Sequence, residues 1–139
     1  MKKQNGFTLI ELIVTIALLA VVAAISFVSI SKVLESSKDR NCESIISSIK
    51  TSANEYASDK RYNKDFIDSV NENKEVSIYA NTLIGENYLS SPIINPYTKD
   101  EVTAADIKIE YKLNANYTVN KITITYNDSE DFCEELKKS

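Results

Sequence analysis

One carboxylate, Glu11, lies near the start of an apolar stretch that otherwise carries no charge. The stretch covers residues 7–31, with Lys2 and Lys3 before it and Lys32 directly after it. An ionised carboxylate in hydrocarbon is costly unless it is paired with a cation. Glu11 therefore either reaches the membrane surface from a shallow position or pairs with a cation that arrives from elsewhere.

A cut between Gly6 and Phe7 would supply that cation. The cut would leave an α-amino group on Phe7, four residues before Glu11. The amine of one copy could then pair with Glu11 of the next copy. Such a pair would neutralise both charges inside an apolar bundle and would fix the axial register of the two copies.

The apolar stretch is long enough to cross a membrane. At a rise of ~1.5 Å per residue, its 25 residues reach roughly 37 Å, whereas the hydrocarbon core measures about 30 Å. A lone segment in lipid must be helical, because its backbone groups can bond only to one another. Lys2 and Lys3 place the N-terminus in the cytoplasm. The stretch is too long for an ordinary secretory signal.

The segment KKQNGFTLIEL resembles the leader and cleavage motif of type IV pilins and type II secretion pseudopilins. In that family a prepilin peptidase cuts after the glycine that ends a basic leader, the new N-terminal residue is N-methylated, and a glutamate docks the subunit in the filament. The resemblance implies cleavage between Gly6 and Phe7, methylation of Phe7 and docking through Glu11. Many pilins have proline in the second half of the apolar helix, but AAISFVSIS has none, which predicts a continuous helix.

These features divide the chain into three parts. Residues 1–6 form a cleaved prepilin leader, residues 7–31 a transmembrane and filament-core helix, and residues 32–139 an extracellular head. Apolar positions at helical spacing continue the helix to near Lys60, either as one helix of about 50 residues or as two with a bend. The positions that face the head are Cys42, Ile45, Ile46, Ile49, Ala53, Tyr56 and Ala57.

The rest of the head predicts a small antiparallel sheet. IKIEYKL and YTVNKITITY alternate as half-buried strands, and a phase slip in the second predicts a bulge, or alternatively a turn, at Asn120–Lys121. A helical turn is expected at residues 64–70, a second helix at 75–87 and a third short strand near Val102. Core faces hold Tyr56, Tyr79, Tyr111 and Tyr126. The predicted fold is α+β and pilin-like: a long N-terminal helix on a small β-sheet head.

The two cysteines, Cys42 and Cys133, are far apart in sequence. Thiols outside the cell oxidise readily, and a bond between these two would pin the C-terminal segment to the long helix. It would close a loop of about 90 residues, which the chain-entropy model values at roughly 4 kcal/mol. The alternative is two unpaired thiols, one of them buried as a small apolar residue.

The composition disfavours catalysis and nucleic-acid binding. The chain has no histidine, the commonest general base, and its formal charge is −4, which disfavours direct contact with phosphates. No nucleophile–base pair, glycine-rich phosphate loop or metal-ligand spacing is evident, and the acidic residues 128–135 match no calcium loop. We expect no enzyme activity, no cofactor and no metal.

The sequence therefore predicts a structural subunit of a type IV pilus-like filament. Its expected partners are the prepilin peptidase, the assembly platform, copies of itself and other pilins, with residues 7–31 in the cytoplasmic membrane before extrusion to the cell surface. A pseudopilin or competence pilin is the nearer alternative. The other is a membrane-anchored ectodomain that keeps its leader, binds a ligand as a monomer and tolerates Glu11→Ala.

Overall fold

The computed structural model describes residues 6–139, apart from the side chain of Val28. Lys2 and Lys3, and with them most of the leader predicted at residues 1–6, lie outside the described residues. Backbone contacts divide the chain into two compact units, Met1–Ser37 and Lys38–Ser139.

A single helix, α1 (Leu9–Lys60), includes both the apolar stretch and the head-facing stripe. The prediction of one uninterrupted helix is thereby confirmed, in line with the absence of proline and glycine from AAISFVSIS. Hydroxyls within the apolar part donate to carbonyls three or four residues earlier, at 2.8–3.2 Å, so they add no unpaired polar group. These hydroxyls belong to Thr15, Ser26, Ser29 and Ser31.

The head contains a three-stranded antiparallel sheet in the order β1-β2-β3. The strands are β1 (Glu75–Tyr79), β2 (Ile107–Leu113) and β3 (Val119–Tyr126). Three short α-helices accompany them: α2 (Lys64–Ser69), α3 (Ala80–Gly85) and α4 (Phe132–Lys138). The predicted α+β class, a long helix with a small antiparallel sheet, is confirmed.

The helix predicted at residues 75–87 is wrong in its first half, which forms β1. Val76 and Ile78 are β-branched residues that alternate along the strand, and they pair with Tyr111 and Ile109 of β2. This pairing puts β2 in the centre of the sheet with ladder partners on both sides. Tyr79, predicted to be in the core, is instead 47% exposed.

The third strand is therefore β1 and not a strand near Val102. In that region the backbone forms an isolated bridge between Ile94 and Glu101. Val102 itself is buried, and its N–H donates to the carbonyl of Ile93 at 2.8 Å. The loop is thus fastened to the core without becoming part of the sheet.

The predicted bulge in β3 is confirmed at Asn120. Lys112 lies opposite Lys121, but the next residue of β2, Leu113, lies opposite Val119, so Asn120 is the extra residue. A one-residue insertion exchanges the faces of a strand. It therefore turns three apolar side chains of β3 toward the core: Ile122, Ile124 and Tyr126.

The core of the head lies between the inner face of the sheet and the second half of α1. Ile49 and Ala53 of α1 and Ile109 and Tyr111 of β2 are essentially inaccessible to solvent. The Tyr111 hydroxyl donates to the carbonyl of Ala53 at 2.9 Å. Burial raises the pKa of Tyr111, so it stays a neutral donor there. This contact fixes the sheet against α1.

Candidate functional site

The residues of the predicted cleavage motif lie exposed at the start of α1. Gly6 and Phe7 precede the helix, Thr8 is the last residue before it, and Glu11 lies in its first turn. A Cβ added at Gly6 would meet no atom within 4 Å. The fold itself therefore makes no steric demand for glycine at this position.

Thr8 and Glu11 form a reciprocal cap at the start of α1. The backbone N–H and the hydroxyl of Thr8 each donate to Oε2 of Glu11 at 2.8 Å, and the N–H of Glu11 is 3.3 Å from the Thr8 hydroxyl oxygen. This arrangement is a capping box, in which two otherwise unpaired N–H groups of a helix start are satisfied. The spacing Thr-x-x-Glu would have predicted the cap.

The cap holds the Glu11 carboxylate at the helix N-terminus. A negative charge is favoured at that end of a helix by the aligned peptide dipoles. Both bonds from Thr8 converge on one oxygen, Oε2, and the side chain of Glu11 remains exposed. The carboxylate is therefore already oriented within a single copy of the chain.

The first half of α1 presents an exposed apolar surface. An 18-residue window of the helix has a mean hydropathy of 2.8, and none of it is buried within the chain. By length and composition α1 can cross a membrane. Leu9 is 77% and Phe27 76% exposed, and other large apolar side chains along the stretch are similarly open to the surroundings. A continuous apolar surface of this kind is typical of a membrane or protein interaction site.

In the head, a disulfide joins α1 to α4. It connects Cys42 and Cys133, whose Cα atoms are 6.0 Å apart and which lie 91 residues apart in sequence. Cys42 is fully buried on the head-facing stripe of α1. The bond therefore fastens the C-terminal segment to the long helix.

A polar cluster beside the disulfide fastens the same segment a second time. The Tyr97 hydroxyl donates to Oδ1 of Asp39 at 2.7 Å, and Nζ of Lys137 lies 3.3 Å from that oxygen and 2.8 Å from Oε1 of Glu134. The hydrogen bond from Tyr97, with that from Lys137, lowers the pKa of Asp39. Burial, together with Asp39, raises the pKa of Tyr97 to about 12.

A buried amide completes the attachment of α4. Asn95 is 3% exposed, and its Nδ2 donates to the carbonyl of Leu136 at 2.9 Å. Its Oδ1 accepts from the backbone N–H of Tyr97 at 2.9 Å. Phe132 and Leu136 of α4 are both buried. The C-terminal segment is thus a packed helix despite its acidic residues.

The described residues contain no cluster of three or more His, Cys, Asp or Glu side chains placed to hold a metal ion. The acidic residues of the C-terminal segment take other roles. Asp131 accepts from the N–H of Glu134 at 3.1 Å and caps α4. Glu134 and Glu135 pair with Lys137 and Lys138 along the same helix.

Comparison with known proteins bears on the first part of the chain. Residues 1–27 match the family model of the prokaryotic N-terminal methylation motif. No significant match to the chain was found among curated proteins or among solved structures. The resemblance inferred from KKQNGFTLIEL is confirmed by the family match.

The matched motif has consequences for processing and location. It implies cleavage by a prepilin peptidase and assembly with pilins, and together with the apolar helix it indicates anchoring in a membrane before assembly. Proteins of this kind are structural subunits and are not known as enzymes. In its first 27 residues the chain carries the prepilin-type leader of type IV pilins and pseudopilins, and this leader precedes a pilin-like α+β fold.

Proposed function

We propose that the protein is a structural subunit of a type IV pilus-like filament. In this proposal a prepilin peptidase cuts between Gly6 and Phe7, Phe7 is N-methylated, and Glu11 docks the subunit on its neighbour. The observation that carries the proposal is the exposed apolar surface of α1 directly behind a prepilin-type motif. That surface needs lipid before assembly and other helices after it.

The apolar part of α1 is suited to both surroundings. In the membrane its side chains face lipid, and its hydroxyls are satisfied within the helix. In a filament the same surface packs against copies of α1. Small residues let helices approach closely when no water is present to drive association. Four of them recur along the stretch: Ala17, Ala20, Ala23 and Ala24.

Glu11 supplies the specificity that an apolar surface lacks. Apolar helices can slide past one another at little cost, whereas a single carboxylate pairs favourably at one axial position. The proposed partner is the α-amino group of Phe7 on a neighbouring copy. The capping box supports this role, because it keeps the Glu11 carboxylate at the helix start, exposed and preoriented.

The proposal assigns each part of the chain a location. Residues 1–6 remain in the cytoplasm and are removed, residues 7–31 span the cytoplasmic membrane and then line the filament core, and residues 32–139 coat the outside. The partners are the peptidase, the assembly platform, copies of the chain and other pilins. Pseudopili and competence pili use the same assembly step, so the proposal concerns that shared step.

The variant Glu11→Ala tests the assembly role. We expect it to be cut and to accumulate in the membrane, while its incorporation into surface filaments falls at least about tenfold because the docking charge is missing. Glu35→Ala is the matched control, since Glu35 is also an exposed carboxylate of α1 but lies beyond the apolar stretch. Normal filament yield from Glu11→Ala would contradict docking through Glu11. An uncut leader together with normal behaviour of Glu11→Ala would favour the anchored ectodomain.

A further inference from the structure

The sheet face turned away from the core carries a polar trough of about 460 Å³. Its lining includes side chains from all three strands and from the segment before β1. The charged and polar groups that matter here are Asn71, Glu75, Glu110, Lys112, Lys121 and Thr123. The register of the sheet places Glu75, Lys112 and Lys121 in one row across the floor.

One lysine of this trough has no carboxylate partner of its own. Lys112 lies 3.7 Å from Glu75, and Glu110 is 2.6 Å from Lys108, so both carboxylates already have cations. Within residues 6–139, Lys121 makes no ion pair. It lies directly opposite Lys112, and like charges in that relation destabilise a strand pair. An anion received in the trough would relieve this repulsion.

The head also presents exposed carboxylates beyond the end of β3. Asp128, Glu130 and Asp131 follow the strand and are exposed. In the part of the chain that the structure describes, none of the three lies within 4 Å of a cationic group. Among residues 6–139, the segment 128–131 is therefore an exposed acidic surface without an ion pair.

The position of the two surfaces decides which contact they can make. Lys121 lies near the start of β3, whereas Asp128 lies in the turn that follows Tyr126 at its end. At ~3.3 Å per residue the strand separates Lys121 from that turn by roughly 17 Å. In the described part of the head, none of these carboxylates forms an ion pair with Lys121. A contact between two different patches of identical chains is heterologous, and its repetition builds an open helical chain wherever the rotation does not close a ring.

We infer that the trough receives the acidic segment 128–131 of a second copy of this chain. The inference rests on the proposed function and deepens it, because it gives the head a contact of its own in the filament. Charge complementarity between the two surfaces sets specificity and register more than total affinity. The helices and the head then fix the axial position of a subunit independently.

Charge reversal tests the contact. We expect Lys121→Glu and Glu130→Lys each to lower the yield of surface filaments about tenfold, because each places like charges together. The double variant Lys121→Glu/Glu130→Lys restores an opposite pair between every two copies, and its yield should return to within about twofold of the unmodified protein. Lys64→Glu makes the same change of charge on an exposed lysine of α2 that does not line the trough, and it should leave the yield unchanged.

Normal filament yield from both single variants would overturn the inference, as would a double variant as poor as the single ones. Recovery in the double variant also shows that the substitutions do not simply unfold the head. Cleavage at Gly6 and the membrane-bound pool are measured in parallel. If the unmodified protein keeps its leader and forms no filaments, the proposed function fails. If it forms filaments and charge reversal has no effect, only the docking inference fails.

Discussion

The carboxylate of Glu11 is hydrogen-bonded to Thr8 of the same chain, through the backbone N–H and through the hydroxyl, at 2.8 Å each. The residue proposed to dock a neighbour therefore also caps the helix on which it lies. Docking would add a charge partner to a carboxylate whose position is already fixed. This lowers the entropy lost when two copies meet.

The variant Thr8→Val tests this link. It removes the hydroxyl that donates to Glu11 and accepts from its N–H, and the loss of such a cap costs about 1 kcal/mol. We expect a filament yield below that of the unmodified protein and above that of Glu11→Ala, because the docking charge remains. Thr8→Ser keeps the hydroxyl and should assemble normally. Yields of Thr8→Val equal to those of Thr15→Val, whose hydroxyl binds only the Leu12 carbonyl, would show that the cap plays no part.

The variant Gly6→Val separates processing from folding. Because a Cβ at Gly6 meets open space, the substitution should leave membrane insertion and the Cys42–Cys133 bond unchanged. We expect the leader to remain attached, which the mass of the purified chain would show. A normally cut product would argue against cleavage after Gly6.

The disulfide should dominate the stability of the C-terminal attachment. Replacing both Cys42 and Cys133 with serine opens a loop of 91 residues, and we expect the free energy of unfolding to fall by roughly 4 kcal/mol. Thermal unfolding of the full chain in detergent, with and without a thiol reductant, measures this change. The reductant should destabilise the unmodified protein and leave the double variant as it was. Equal sensitivity of both proteins to the reductant would contradict a bond between these residues.

The Asp39–Tyr97–Lys137 cluster predicts how stability changes with pH. The pKa of Asp39 is lowered in the folded protein, so its stabilising contribution is complete above the usual carboxyl range and is lost as the pH falls below about 4. The pKa of Tyr97 is raised to about 12, so the contribution of Tyr97 is complete below about pH 10 and is lost as the pH rises further.

Thermal unfolding from about pH 2 to pH 8 measures the acid side of this prediction. Asp39→Asn should weaken the decline in stability at low pH. Glu43→Gln is the control, since Glu43 is an exposed carboxylate of the same helix. Identical pH profiles for Asp39→Asn and the unmodified protein would show that the cluster does not anchor α4.

The parts of the fold that could be predicted from sequence have one long, consistent pattern. The apolar stripe of α1 repeats over several helical turns, and the alternation of IKIEYKL repeats over several residues. Local pattern and tertiary contacts therefore favour the same secondary structure in both segments. The helix prediction for the whole of EVSIYANTLIG was wrong because four of its apolar residues fall at helical spacing: Val76, Tyr79, Ala80 and Leu83. The strand in its first half exists because β2 offers it a partner, and that information lies some 30 residues further along the chain.

The contacts around α4 could not be predicted for a similar reason. The many acidic residues of DSEDFCEELKKS indicate an exposed segment, yet Phe132 and Leu136 within it are buried. These two residues are four apart in sequence and therefore share a helix face. Their partners come from elsewhere: Asn95 is 41 residues from Leu136, and Tyr97 is 58 residues from Asp39. The cap made by Thr8 and Glu11 is local, and its spacing alone would have been enough to predict it.

The most direct test of the account is the identity and mass of the N-terminal residue in protein taken from the cell surface. Under the proposed function, we expect a chain that begins at Phe7 and carries one methyl group on its α-amine. A chain that still begins at Met1 or Lys2 and occurs only in the membrane would contradict it.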